Sequence, residues 1–149
     1  MSILSEETVQ LNTPTTTKEE AIKQAGALLV KAGHVSASYI EGMLAREQTM
    51  STYIGNGVAI PHGTFDDKES IHSTGISVVQ FPDGVVWNAE DDETAYLVIG
   101  IAATANEHVG VLSNLAEAIE EPESAEELIR ATDPMMIIER LSRPQEEEV

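Results

Sequence analysis

The sequence predicts an α/β domain in which one sheet lies between helical layers. Three observations carry that expectation. Segments with apolar residues at helical spacing are interleaved with short β-branched runs. The run from Ala95 to Ala103 is apolar without alternation, the pattern of a central strand covered on both faces. A chain of 149 residues, 42% of them hydrophobic, is long enough to bury a core, which sets the expectation of one domain over residues 1–149. Its core is expected at about residues 9–143, with an acidic tail at 144–149.

The elements follow in order. Thr17-Lys18-Glu19-Glu20 is a capping box, and Ala21, Ile22, Ala25, Leu28 and Leu29 continue it at helical spacing until Gly33. A second helix begins near Ser38, with Glu41 three residues on, and places Ile40, Met43 and Leu44 on one face. It ends around Gln48, with Arg46 in its last turn reaching toward whatever follows. Tyr53 to Thr64 reads as a short strand, a turn at Gly55-Asn56-Gly57 and another short strand that runs into His62. Ile76 to Phe81 is a strand, Pro82-Asp83-Gly84 a turn, and Val85 to Trp87 extended again. After the central strand, Val109, Leu112, Leu115, Ala116 and Ile119 return to helical spacing, with Asn106 as N-cap and His108 in the first turn. Ser124-Ala125-Glu126-Glu127 is a capping box, and Asp133-Pro134 opens a last helix through Met136, Ile137 and Leu141. There is no internal repeat and no linker.

Composition excludes several classes of function. With 8 Lys and Arg against 26 Asp and Glu, the net charge is −18, which argues against nucleic acid and against an anionic membrane surface. Cysteine is absent, so there is no disulfide framework and no thiol chemistry. Residues 1–11 lack the basic and apolar regions of a signal peptide, and the longest apolar run falls well short of the roughly 20 residues of a membrane helix. The expectation is a soluble, cytoplasmic protein without membrane insertion.

Four histidines are the candidates for chemistry, because a neutral imidazole is nucleophilic near neutral pH. His62 stands between Pro61, which fixes the approach of the chain, and Gly63, which admits a second body close to the backbone. Taken alone it is either a turn histidine or a presented nucleophile. His108 lies at a helix N-terminus after the buried strand, where open α/β sheets bind ligands and exposed N–H groups favour an anion; taken alone it is a surface residue of a first turn. His34, at a helix end, favours the dipole, and His72 enters a strand; both read as structural.

No pair of histidines has metal-ligand spacing, no G-x-S-x-G elbow exists, and Gly55-Asn56-Gly57 is too short for a dinucleotide or Walker loop. What remains is two histidines and Arg46. That set fits phosphoryl handling: an imidazole attacks phosphorus and a guanidinium steadies its oxygens. Spacing alone does not bring the three together, and a metal-assisted hydrolase using His62 and His108 stands as a weaker alternative.

The segments Met43-Leu44-Ala45-Arg46-Glu47, Thr52-Tyr53-Ile54-Gly55 and Val58-Ala59-Ile60-Pro61-His62-Gly63-Thr64 resemble the IIA component of the bacterial phosphoenolpyruvate-dependent sugar phosphotransferase system, mannitol/fructose family. The likeness continues through Leu97 to Ala103 and Asn106-Glu107-His108, covers Thr17 to about Leu141, and is nearest to mannitol-specific members. It implies a mixed, mostly parallel five-stranded sheet with helices on both faces. It implies that His62 is phosphorylated at Nε2 by the phosphocarrier HPr and passes the group to a cysteine of a IIB domain or subunit, driving uptake of mannitol or a related sugar. By the same resemblance His108 stabilises the phosphoryl group, Arg46 holds the pair, and no metal or organic cofactor takes part. Mannitol-type members often carry Glu where this chain has Asn56, and an acid there can orient Arg46 or His62, whereas Asn56 brings no charge. Met1 and the acidic tail favour a freestanding chain. A regulatory module of the same fold, reporting phosphorylation flux to a regulator, is the alternative within this family.

From Glu69 to Ile129 there are 13 acids and no Lys or Arg, a stretch that contains His108. Such a rim would steer a basic partner such as HPr into place; adaptation of the whole surface to high salt would produce the same composition. Either way the few cations, Arg46 above all, must decide where a phosphoryl group rests, since screening confines charge effects to about 8 Å.

Overall fold

A computed structural model of the chain describes residues 4–63, 69–103 and 108–142, with the backbone alone at 108, 109, 111, 112, 114 and 142. Five strands form one sheet in the order β1-β4-β5-β3-β2: β1 (Val9–Gln10), β2 (Tyr53–Gly55), β3 (Val58–Ala59), β4 (Gly75–Asn88) and β5 (Glu93–Ala102). The helices are α1 (Lys18–Lys31), α2 (Ser38–Thr49), α3 (His108–Ile119), α4 (Pro122–Ile129) and α5 (Pro134–Ser142).

The sheet is mixed but not mostly parallel. β1 pairs with β4 and β3 with β5 in parallel, while β4–β5 and β2–β3 are antiparallel. Connection length decides this. β2 and β3 are separated only by Asn56-Gly57, and β4 turns into β5 through a short 3-10 turn closed by Asp92 at φ 57°. Links so short can only reverse the chain, since a parallel crossover needs a dozen residues or more.

Both faces are covered. On one, Ala21, Ile22, Ala25 and Leu29 of α1 and Tyr39 and Met43 of α2 pack on Val79, Phe81, Val85 and Val98. On the other, Leu115, Ile119, Leu128, Ile137 and Leu141 from α3, α4 and α5 pack on Val58, Val78, Leu97, Ile99 and Ile101. In β5, Val98 faces the first layer and Leu97, Ile99 and Ile101 the second, so from Leu97 onward the strand is buried on both sides, as expected of a central one.

The Thr17 hydroxyl accepts from the Glu20 N–H as the capping box requires, and an Asp133 carboxylate oxygen accepts from Met135 N–H at 2.9 Å. α2 begins at Ser38, as expected, and the Ser38 hydroxyl pairs with those of Ser36 and Ser70. Other boundaries differ from the sequence reading. α4 starts at Pro122, ahead of the Ser124 box, since proline at the first helical position needs no N–H partner. Pro82-Asp83-Gly84 is a bulge and not a turn: between Gln80↔Leu97 and Val85↔Ala95, β4 advances five residues where β5 advances two. The surplus loops outward at the exposed Pro82 and Asp83, and Gly84 absorbs the bend at φ 81°. β1 escaped the sequence reading because two residues carry no period; its pairing with Val78 and Val79 defines it. Asn106, expected as an N-cap, lies outside the described residues.

Candidate functional site

His62 sits where β3 runs out alongside β5. Its backbone bridges Ile101 in parallel register, three residues beyond the Ala59↔Val98 pair. The Ile101 N–H donates to the Pro61 carbonyl at 3.0 Å. The imidazole is 8% exposed, and its Nδ1 lies 2.8 Å from the Ile60 carbonyl oxygen. A carbonyl only accepts, so Nδ1 carries the proton and the lone pair of the neutral ring is on Nε2. Pro61 and Gly63 on either side produce this: the rigid approach lets the ring fold back on its own chain two residues upstream.

Arg46, in the last turn of α2, donates from Nη1 to the Met50 carbonyl at 2.6 Å, which places a cation on the orphan carbonyls of the helix end. Among the described residues no carboxylate lies within ion-pair distance of it, whereas Lys18, Lys23, Arg130 and Arg140 are each paired. The chain leaving α2 runs antiparallel to the chain approaching His62: the Thr52 carbonyl accepts from Ile60 N–H at 3.0 Å, and Tyr53 pairs with Ala59. The anchor of Arg46 is therefore at the same end of the sheet as His62.

α3 begins at His108, six residues after β5 ends, and returns along the sheet. Its other end is fixed by Asn56, whose Nδ2 donates to the Ile119 and Glu120 carbonyls at 2.9 and 3.2 Å. Since Asn56 precedes β3 and His62 follows it, the start of α3 belongs to the His62 end. The side chain of His108 and the residues Thr64, Asn106 and Glu107 of the sequence motifs lie outside the described residues. Asn56, at the opposite end from His62, caps a helix and does not face the histidine. His34 is structural for a different reason than the one expected. It is 2% exposed, burial pushes its pKa down, and a ring held neutral has no charge to offer a helix dipole. His72 is exposed and donates its N–H to the His34 carbonyl at 2.7 Å. Among the described residues no three His, Asp or Glu side chains converge as metal ligands.

Compared with known proteins, residues 2–143 match the family described as phosphoenolpyruvate-dependent sugar phosphotransferase system, EIIA 2. The chain belongs to this family. It is an EIIA component, and the family's work is phosphoryl transfer between proteins. The EIIA chain is 45% identical to the mannitol-specific phosphotransferase enzyme IIA component of Bacillus subtilis, covering 88% of this chain and 90% of that protein. It is 51% identical to the multiphosphoryl transfer protein of Escherichia coli O157:H7 over 77% of its own length, but spans only 30% of that longer protein. Among solved structures, the complex of enzyme IIAMTL and phosphorylated enzyme IIBMTL from Escherichia coli superposes with a TM-score of 0.86 at 40% identity, covering 93% of this chain and 96% of that one.

Two residues of this EIIA chain that shape the site escaped the sequence reading. Glu47, next to Arg46, is 6% exposed; its carboxylate accepts from Thr52 N–H, from the Thr52 hydroxyl, and from Trp87 Nε1 at 3.0 Å, with Lys18 Nζ 3.4 Å away. It ties the end of α2 to the segment that runs beside His62. Tyr39 reaches the Gly63 amide and the Ile101 carbonyl through its hydroxyl. The signal was there: Tyr39, Met43 and Glu47 recur every four residues on the buried face of α2, and an acid or a phenol on such a stripe needs polar partners. No helix among the described residues is long and apolar enough to cross a membrane.

Proposed function

We propose that this protein carries a phosphoryl group on Nε2 of His62, accepted from HPr and delivered to a cysteine of a mannitol-type IIB domain, in the uptake of mannitol or a related sugar. The observation that carries the reading is the Nδ1–H bond to the Ile60 carbonyl, which leaves Nε2 as the nucleophilic nitrogen. The IIB acceptor is supported by the similarity to a IIAMTL solved with phosphorylated IIBMTL, and mannitol by the relative from Bacillus subtilis. In the first step the phosphorus–nitrogen bond of the donor phosphohistidine breaks as the bond to His62 Nε2 forms. In the second that bond breaks and a phosphorus–sulfur bond forms with the acceptor thiolate. Through both steps Nδ1–H stays on the Ile60 carbonyl, so the ring does not rotate.

Positioning and charge supply most of the catalysis in such transfers. Arg46, unpaired with any described carboxylate, is the cation we assign to the phosphoryl oxygens, and His108 at the start of α3 the second donor. The low exposure of His62 keeps water from a labile phosphohistidine. We place the protein in the cytoplasm, where donor and acceptor meet, and take residues 9–143 as the core of one IIA-type domain with 144–149 as its tail.

Incubation with phosphoenolpyruvate, Enzyme I and HPr tests this. One phosphoryl group should appear on His62 and pass on to a separate IIB domain. His62→Ala should take up none; label retained at the wild-type level would overturn the assignment. His108→Ala should be phosphorylated slowly, by at least about tenfold, and a wild-type rate would remove His108 from the site.

A further inference from the structure

We propose that Tyr39 is a positioning residue for the phosphoryl transfer, its hydroxyl setting where the backbone goes immediately after His62. The inference rests on the reading of His62 as the phosphorylated residue. In a parallel pair, a residue bridging its partner is flanked by two rungs: one on the preceding carbonyl, one on the following amide. For His62 opposite Ile101 the first is present, from Ile101 N–H to the Pro61 carbonyl at 3.0 Å. The second would run from Gly63 N–H to the Ile101 carbonyl. That pair is joined through Tyr39: the Gly63 N–H donates to the hydroxyl oxygen at 2.9 Å, and the hydroxyl donates to the Ile101 carbonyl at 2.8 Å.

The hydroxyl couples the amide to the carbonyl at this rung, directly after the rung at Pro61, so it bears on where the chain goes after His62. Around the imidazole stand the bonds of Pro61 to β5, of Nδ1 to the Ile60 carbonyl, and of Gly63 to Tyr39, whose side chain comes from α2, the helix that also carries Arg46. Tyr39 is 2% exposed, so water does not replace its hydroxyl easily. Without that hydroxyl the rung either closes directly or leaves the part-buried amide and the carbonyl without this partner, and in both cases the ring shifts against the in-line axis. A misplacement of about 1 Å can cost about a hundredfold in rate.

Tyr39→Phe in the full chain tests this, since it keeps the ring and removes the hydroxyl. At saturating phosphorylated HPr its phosphorylation rate should fall about 10- to 100-fold, while the HPr concentration for half-maximal rate stays within about twofold. The 15N signals of the His62 ring and the Gly63 amide should move with it. A role confined to stability would lower the melting temperature and leave those signals in place. A wild-type rate, or a loss lying wholly in the HPr dependence with the ring signals unmoved, would overturn the proposal. If the wild-type chain takes no phosphoryl group on His62, the proposed function fails, and the ring and amide signals still decide whether Tyr39 positions that histidine. Should Tyr39→Phe not fold, amide exchange in the wild type decides instead. Protection of Gly63 N–H is expected; exchange at the rate of an open loop would overturn the proposal.

Discussion

Two buried histidines of this chain are alike in exposure and differently held. His62 and His34 are 8% and 2% exposed, and each has Nδ1 in a hydrogen bond. The partners differ. Nδ1 of His62 faces the Ile60 carbonyl, which can only accept, so one tautomer is fixed with its lone pair on Nε2. Nδ1 of His34 lies 2.9 Å from the Ser73 hydroxyl, which can donate or accept and fixes neither tautomer. Packing differs too. A Cβ built on Gly75 would lie 2.2 Å from the His34 ring, so that ring is stacked directly on β4. His62 stands at a strand end beside Gly63. Burial is common to both rings; the partner of Nδ1 and the packing around the ring set them apart.

The contrast can be broken or sharpened by measurement. Gly75→Ala should have the largest effect, because the new methyl must displace the His34 ring or the strand. A loss of about 3 kcal/mol in urea unfolding is expected, with the phosphorylation rate of the folded fraction unchanged. If the rate fell first, the two histidines would be coupled and the contrast would fail. Asn56→Ala should cost about 1 kcal/mol through two lost cap bonds and left-handed strain at φ 55°, again without altering transfer by His62. A change in transfer rate would mean that position 56 reaches His62 despite lying at the other end of β3.

The smallest effect is in pH. Burial lowers the His34 pKa below the ordinary 6.5, so between the two values the unfolded chain binds a proton that the folded chain refuses. Its contribution to stability is full above about pH 6.5 and declines as pH falls toward the folded pKa. Urea unfolding between pH 7 and 5 should show a steeper decline in the wild type than in His34→Gln. Parallel curves would mean that His34 takes up its proton in the folded protein as readily as in the unfolded one.

Part of the site was legible in sequence because its signals are local. Pro61-His62-Gly63 singles out one histidine as a candidate through backbone restriction alone, and Arg46 in a last helical turn foretells a cation at the helix end. Asn56 was read only as a place without charge, whereas its position in space makes it a helix cap. Glu47 and Tyr39 were overlooked because each was counted as helix surface or core, and their partners at 52, 63, 87 and 101 come from other elements.

By itself the sequence determined the helices, the central strand and both faces being covered, since periodicity and capping act over a few residues. The tertiary structure alone decided that the sheet is half antiparallel, that Pro82 to Gly84 is a bulge, and which side chain fills the rung beyond His62. Those outcomes depend on strand pairing and on hydrogen bonds between groups tens of residues apart, whose partners no local pattern of residues can specify.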